Sequence, residues 1–191
     1  SGIAQVFAAI GSAVTIVERD PAAAAAAKDR VAMGLLRAAE RGKRAEAPAA
    51  VLDRVTLADD VGGLPADAGL VVEAVPEDAA LTVRVLSAAE RGVGDDAVLA
   101  SNTSSLSIAG LAEGLRRPER MLGMHFFNPV PASALVEVVL GPATAAGVRD
   151  RVVGWVHALG KTDVVVRDSP GFATSRLGVL LGLEAIRMLE E

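Results

Sequence analysis

The sequence is poor in cysteine, in aromatic side chains and in positive charge. It contains no cysteine, which excludes a disulfide scaffold, a Cys-ligated zinc site and a thiolate nucleophile. Four Phe and one Trp are too few for a base-stacking platform, and a formal net charge of −5 differs from the basic surface that nucleic acid requires. No uncharged apolar run reaches the roughly 18 residues of a membrane helix, and no signal-peptide pattern opens the sequence. We therefore expect a cytoplasmic protein that binds neither nucleic acid nor membranes.

The 191 residues do contain a strongly apolar, periodic pattern. With 51% hydrophobic and 23% charged residues, the chain can bury a core and is not disordered. Short β-branched runs alternate with helical patterns, which predicts an α/β fold with a doubly wound, mostly parallel sheet whose last strands are antiparallel. The runs 70–75 and 97–100 lack a polar face, so helices are expected to cover both sides of each. The predicted strands are 13–18, 70–75, 97–101, 120–126, 135–140 and 162–166, and the predicted helices are 1–7, 21–41, 78–91, 144–159 and 171–190.

The two histidines have different sequence surroundings. His157 lies inside a predicted helix with no carboxylate three or four residues away, which favours a structural role. His125 ends a strand, and if the strands on either side of Pro131 fold back on each other, it lies opposite Glu137. That carboxylate would fix the imidazole tautomer and raise its basicity, as suits a group that moves a proton on or off an alcohol. A buried histidine beside a chance glutamate is the competing interpretation.

A run of polar residues, Ser-Asn-Thr-Ser-Ser at 101–105, follows a buried strand. Open parallel sheets bind their ligands at this end of their strands, although a helix cap is the alternative. Asn128, three residues after His125, adds an amide to the same edge. Hydroxyl, amide, imidazole and carboxylate, without a cluster of metal ligands or a nucleophile–base pair, suit deprotonation of an alcohol while a hydride leaves. This is the chemistry of an NAD-linked alcohol dehydrogenase.

Glu18 ends the first strand of the sequence. In a dinucleotide-binding unit, an acidic residue at this point accepts hydrogen bonds from the adenosine ribose hydroxyls, and its charge disfavours the 2′-phosphate of NADP. A glutamate that only keeps a strand end soluble is the alternative.

Six segments of the sequence carry a resemblance to a known family. In order and spacing they resemble the 3-hydroxyacyl-CoA dehydrogenases, in particular the 3-hydroxybutyryl-CoA type, over essentially the whole chain. The resemblance implies a Rossmann-like fold, NAD as cofactor and the reversible oxidation of (3S)-3-hydroxyacyl-CoA to 3-oxoacyl-CoA in fatty-acid metabolism and β-oxidation. The segments are GIAQVFA (2–8), VVEAVPED (71–78), ASNTSSLSI (100–108), MHFFNPVP (124–131), LVEVV (135–139) and DSPGFATSR (168–176).

The resemblance also implies roles for individual residues. His125 is implied to be the general base for oxidation and the general acid for reduction, with Glu137 orienting it. Ser104 and Asn128 are implied to bind the substrate oxygen and to help place the nicotinamide, and no metal is expected. The further residues implied are Glu18, Ala74, Val75 and Glu77 for the cofactor, and Ser175, Arg41 and Lys43, with Arg44 beside it, for the acyl-CoA.

The sequence departs from the family pattern in four ways. The family's first strand, which precedes its glycine-rich loop, is missing from the sequence together with that loop. Most of the family's helical C-terminal domain is missing as well. We therefore expect residues 1–170 to be an N-terminally incomplete NAD-binding domain, and 171–191 to be the truncated start of a helical dimerisation and substrate domain. The complete protein is expected to be a homodimer. Ser175 replaces a usual asparagine and Thr82 stands near a frequent lysine, which leaves the fine substrate preference open.

Two other functions remain open at this point. A β-hydroxyacid or sugar-acid dehydrogenase of the same fold would act on a free carboxylate, but no arginine lies within the SNTSS or HFFNPVP segments to bind one. The chain is alternatively an inactive truncated domain that binds CoA compounds weakly. The leading hypothesis includes the dehydrogenase part of a larger fatty-acid or phenylacetate degradation enzyme.

Overall fold

The computed structural model describes residues 1–42 and 46–190, in which strands and helices alternate. The strands are β1 (Val14–Val17), β2 (Val55–Ala58), β3 (Leu70–Glu73), β4 (Val98–Ser101), β5 (Met121–Phe126), β6 (Leu135–Leu140) and β7 (Thr162–Arg167). The helices are α1 (Gly2–Ala9), α2 (Pro21–Glu40), α3 (Pro48–Leu52), α4 (Ala79–Gly92), α5 (Ile108–Ala112), α6 (Ala146–Ala158) and α7 (Thr174–Glu190), with short 3₁₀ turns at Val61–Gly63 and Pro118–Arg120. None of the helices described is long and apolar enough to cross a membrane.

The described strands form two sheets. β1 and β2 make a parallel pair, and the other five strands follow the order β3-β4-β5-β6-β7. In this larger sheet all neighbours are parallel except β5 and β6, which are antiparallel. β6 and β7 therefore run opposite to β3, β4 and β5, which confirms the predicted α/β fold with a mostly parallel sheet whose last strands are antiparallel. Within residues 1–42 and 46–190, β1 and β3 do not pair with each other.

Helices cover both faces of the larger sheet, as its β4 strand shows. Val98 and Ala100 pack in a cluster with α1 and α6, whereas Leu99 faces a second cluster with α4 and α5. The prediction of a strand covered on both sides is thus confirmed for β4, whose four residues are all buried. It also holds for β3, where Leu70 and Val72 pack against the first of these clusters and Val71 against the second. These three residues are only half-buried, because β3 lies at the edge of its sheet.

The helix boundaries follow from local chemistry in some places and not in others. Asp20 caps α2 by accepting a hydrogen bond from the Ala23 backbone N–H at 2.7 Å, as the Asp-Pro pair predicts. The predicted helix 171–190 starts three residues late, because Gly171 and Phe172 have φ angles of +71° and +50°, outside the helical region. The sequence pattern does not predict the short elements α3, β2 and α5, because their four or five residues are too few to show a period.

A buried acidic residue ties α4 to the segment before β5. The Glu90 carboxylate accepts hydrogen bonds from the backbone N–H groups of Arg116 and Arg117, both at 2.9 Å. It also forms a 3.3 Å ion pair with the buried Arg120 guanidinium. Burial raises the pKa of the Glu90 carboxyl, but these hydrogen bonds outweigh it and hold the pKa below its usual value.

We expect Glu90→Gln to lower the free energy of unfolding at neutral pH by about 3 kcal/mol, because Arg120 loses its buried counter-ion. A carboxyl with a lowered pKa stabilises the fold above its unfolded pKa, and this stabilisation disappears as the pH falls through the folded value. The difference between the variant and the wild type should therefore shrink below about pH 4. Urea unfolding at neutral pH and at about pH 3.5 measures it. Glu113→Gln at an exposed position is the matched control, and an equal loss in both variants would contradict the prediction.

Candidate active site

The centre of the site is a pair of side chains on the antiparallel strands β5 and β6. The register places His125 directly opposite Glu137, as the fold-back about Pro131 predicts. His125 Nδ1 lies 2.8 Å from Glu137 Oε2, with the glutamate fully buried and the histidine 8% exposed. Because Nδ1 faces a carboxylate, the neutral ring carries its proton there and leaves Nε2 as a hydrogen-bond acceptor.

Glu137 accepts hydrogen bonds from two other residues besides His125. Its Oε1 accepts hydrogen bonds from the backbone N–H groups of Ala173 at 3.0 Å and Thr174 at 2.9 Å. Its Oε2 accepts a further one from the Thr174 hydroxyl at 2.7 Å. Burial raises the pKa of the Glu137 carboxyl, but the hydrogen bonds from Thr174, His125 and Ala173 outweigh it, so the pKa lies below its usual value. The carboxylate is therefore ionised and fixed at the start of α7.

Two phenyl rings flank the imidazole. The ring centroid of Phe127 lies 4.5 Å from that of His125, and the centroid of Phe172 lies 6.2 Å away. Phe172 is buried and adopts a left-handed backbone conformation that non-glycine residues rarely take. These apolar neighbours limit both the rotation of the imidazole and the access of water to it.

The ends of β3, β4 and β5 are joined by polar side chains. The buried Glu73 accepts a hydrogen bond from the Ser101 hydroxyl at 2.6 Å through one oxygen and from the Val75 N–H at 2.5 Å through the other. Asn102 Oδ1 accepts a hydrogen bond from the Phe126 N–H at 2.9 Å, next to His125. Glu73 and Asn102 thus bring three strand ends into one rim, a function that the sequence pattern does not reveal.

Glu77 holds the loop that follows β4. One of its carboxylate oxygens accepts hydrogen bonds from the Ser105 hydroxyl at 2.8 Å, from the backbone N–H groups of Ser105 and Ser104 at 3.0 and 3.1 Å, and from the Thr103 hydroxyl. Burial raises the pKa of Glu77, but these hydrogen bonds outweigh it and lower the pKa below its usual value. The Thr103 and Ser105 hydroxyls of the predicted polar run are therefore used to fix the shape of the loop.

The remaining polar groups at this rim are available to a ligand. Ser104 and Asn128 are exposed, and neither side chain forms a hydrogen bond within the part of the chain that the structure describes. Lys161 fixes the turn that carries Asn128 by donating to the Val130 carbonyl at 2.7 Å and to the Ser133 carbonyl. Burial lowers the pKa of the Lys161 ammonium group.

The residues predicted on the cofactor side lie at the ends of β1 and β3. Glu18 directly follows β1 and is half-buried. Ala74 and Val75 directly follow β3, the first exposed and the second half-buried.

The residues predicted on the substrate side are more scattered. Ser175 is half-buried in the first turn of α7, next to Thr174. Arg41 is exposed at the end of α2, whereas Lys43 and Arg44 lie outside the described residues. Thr82 is 1% exposed, so this position is packed in the interior.

His157 differs from the prediction in one respect. Its Nε2 lies 2.6 Å from Asp163 Oδ1, six residues further along the chain and on β7. A search at helical spacing misses this partner, because it belongs to the next strand. Among the described residues, no group of three or more His, Asp or Glu side chains is arranged to hold a metal ion.

The chain is similar in sequence to proteins of one family. The family model for the 3-hydroxyacyl-CoA dehydrogenase NAD binding domain matches residues 1–169. A probable 3-hydroxybutyryl-CoA dehydrogenase of Bacillus subtilis is 38% identical over 192 residues, covering 100% of this chain and 67% of that protein. The mitochondrial hydroxyacyl-coenzyme A dehydrogenase of Sus scrofa is 36% identical over 197 residues, covering 100% of this chain and 62% of that protein.

A solved structure extends the comparison. The crystal structure of Mycobacterium tuberculosis FadB2 matches with a TM-score of 0.93 and 41% identity, covering 99% of this chain and 67% of that one. The chain therefore spans about two thirds of the length of these relatives. With the family model matched over nearly all of its residues, the chain belongs to the 3-hydroxyacyl-CoA dehydrogenase family and carries its NAD binding domain.

Proposed function

We propose that the protein catalyses the NAD-dependent, reversible oxidation of (3S)-3-hydroxyacyl-CoA to 3-oxoacyl-CoA. The observation that carries this proposal is the buried His125–Glu137 pair, in which Nδ1 lies 2.8 Å from the carboxylate and Nε2 is left for the substrate. It lies at the rim where Ser104 and Asn128 present unpaired polar groups within the described part of the chain. A fixed base beside hydrogen-bond donors suits removal of a proton from an alcohol.

In oxidation, His125 Nε2 takes the proton of the substrate hydroxyl. The ionised Glu137 stabilises the resulting imidazolium through Nδ1, and the flanking phenyl rings keep the ring in place. In reduction, the same Nε2 returns the proton to the carbonyl oxygen. The Ser104 hydroxyl and the Asn128 amide donate hydrogen bonds to that oxygen and stabilise the negative charge that develops there.

The residues present fit NAD as the cofactor. Glu18 forms no hydrogen bond or ion pair with another described residue and lies at the end of a parallel strand, where it would accept hydrogen bonds from ribose hydroxyls and disfavour a 2′-phosphate. Ala74 and Val75 follow β3 with Glu77 close behind, and they would line one side of the dinucleotide. Bound in this place, the nicotinamide would supply the acceptor for the hydride that leaves the hydroxyl-bearing carbon.

The acyl-CoA and the second domain complete the proposal. Cationic side chains suit the phosphates of CoA, and Arg41, Lys43 and Arg44 supply three in one short stretch.

Residues 1–170 act as the NAD-binding domain, and 171–191 begin a helical domain that binds substrate and forms a homodimer. In support, α7 has no buried residue in the described structure and exposes a row of apolar side chains, including Leu177 at 59%, Leu181 at 72% and Leu189 at 88%.

The proposed function is tested by comparing two substrates. We expect acetoacetyl-CoA to drive NADH oxidation with a kcat/KM at least about 100-fold above that of free acetoacetate, because binding of the CoA moiety contributes to transition-state stabilisation. The decrease in NADH absorbance measures both reactions, and NADPH serves as the cofactor control. Preference for the free acid would instead favour a β-hydroxyacid dehydrogenase. The absence of turnover with either substrate, together with the absence of saturable NADH binding, would favour an inactive domain.

A further inference from the structure

The segment that leads from β7 into the first residue of α7 donates hydrogen bonds to Glu137. Three of the four hydrogen bonds that the carboxylate accepts come from Ala173 and Thr174, and the fourth comes from His125. An ionised carboxylate offers about four acceptor positions, so all of them are used. Glu137 therefore has one hydrogen-bonded orientation, and this segment determines it.

The two oxygens of Glu137 have different partners. Oε1 accepts the two backbone N–H groups at the start of α7, which any residue type would supply. Oε2 accepts the Thr174 hydroxyl at 2.7 Å and His125 Nδ1 at 2.8 Å. The hydroxyl thus shares the oxygen that orients the imidazole. It withdraws negative charge from that oxygen and restricts its position, whereas the helix end is satisfied without it.

The backbone that presents Thr174 is held in an unusual conformation. Gly171 and Phe172 both have left-handed φ angles, of +71° and +50°. A Cβ atom on Gly171 would lie 3.1 Å from the Arg176 nitrogen, so this turn is closely packed on the first turn of α7. Such a conformation persists only where its surroundings determine it, and here it directs two N–H groups and a hydroxyl to Glu137.

We infer that Thr174 is a positioning residue for the reaction, because its hydroxyl holds Glu137 Oε2 in the place from which it orients His125. This inference rests on the proposed function and adds to it a residue that touches neither the substrate nor the cofactor. A merely structural threonine at a helix start would affect stability without affecting the pH dependence of the reaction.

Thr174→Val removes the hydroxyl and keeps the shape of the side chain. Without this hydrogen bond the pKa of Glu137 rises. Its Oε2 also keeps more negative charge beside His125 Nδ1, which favours the protonated form of the base, so the acid limb of kcat/KM for 3-hydroxybutyryl-CoA oxidation should move up by about one pH unit. At neutral pH we expect kcat to fall about three- to tenfold while KM for the acyl-CoA changes less than about twofold. Thr174→Ser, which keeps the hydroxyl, should restore both the profile and the rate. Thr162→Val, at an exposed position on β7, is the matched control.

A second measurement does not need turnover. The carboxyl ¹³C resonance of Glu137, assigned by its loss in Glu137→Gln, should titrate about one pH unit higher in Thr174→Val than in the wild type and Thr174→Ser. If the wild type does not reduce acetoacetyl-CoA, the proposed function fails while this titration still tests the hydrogen bond. A wild-type titration and pH profile in Thr174→Val would overturn the inference. Failure of Thr174→Ser to restore them would also overturn it, because the methyl group would then be the part that matters.

Discussion

Replacement of His125 by glutamine is expected to lower kcat for acetoacetyl-CoA reduction by about 10³-fold. Glutamine has a similar size and keeps a hydrogen-bonding end, but it cannot carry and release a proton near neutral pH. The proposed general acid is therefore lost, while Ser104 and Asn128 remain to bind the substrate oxygen. Because the amide group of glutamine can still donate a hydrogen bond to Glu137 and the side chain keeps its contacts with Phe127 and Phe172, the fold should be retained.

Three measurements separate chemistry from folding in this variant. kcat is followed through NADH absorbance, NADH affinity through fluorescence titration, and stability through thermal unfolding. We expect NADH affinity to remain within about threefold of the wild type, since the imidazole is proposed to act on the substrate proton. His157→Gln is the matched control, because this exposed residue pairs with Asp163 away from the site, and its activity should equal that of the wild type. Full activity in His125→Gln would refute the assignment of the base.

Glu137→Gln should damage both catalysis and stability. The glutamine oxygen accepts about two hydrogen bonds and its NH₂ group only donates, whereas the carboxylate accepts four from His125, Ala173 and Thr174. Buried donors are then left unpaired or face another donor, and the imidazolium formed in oxidation loses its counter-charge. We expect kcat to fall about 10²- to 10³-fold and the free energy of unfolding to fall by about 3 kcal/mol.

The pH dependence provides a further test of Glu137. Its pKa is lowered in the folded protein, so its contribution to stability is present above the unfolded pKa and is lost as the pH falls through the folded value. The stability difference between the wild type and Glu137→Gln should therefore be largest near neutral pH and decrease below about pH 4. Urea unfolding across this range measures it, with the exposed Glu113→Gln as the control. A variant with wild-type kcat would show that Glu137 does not orient the base.

The pairing of His125 with Glu137 could be predicted because it depends on a short stretch of chain. A hairpin about Pro131 fixes which residues lie opposite each other, so the observed register follows from local information. The start of α2 could be predicted for the same reason, since Asp20 caps it within three residues. The strands of the larger sheet also followed from their apolar runs.

Other features depend on contacts that no local pattern contains. β3 is half-buried although its sequence suits a central strand, because burial depends on its place in the sheet. Thr174 appears from the sequence to be one more helix residue, and Glu73 one more strand residue. Their roles follow from hydrogen bonds to Glu137 and Ser101, respectively.

By itself the sequence determined the alternating α/β order, the family and the chemical groups at hand: an imidazole, a carboxylate, hydroxyls and amides, without a thiol. These depend on residue identity and on spacings of a few positions. Only the tertiary structure decided that Glu137 also accepts hydrogen bonds from the backbone at the start of α7, from residues 36 and 37 positions away. It likewise decided that Glu77 gathers the loop at Ser104, 27 positions away. The physical reason is that a hydrogen bond depends on an orientation and a distance of about 3 Å, which packing of distant segments alone sets.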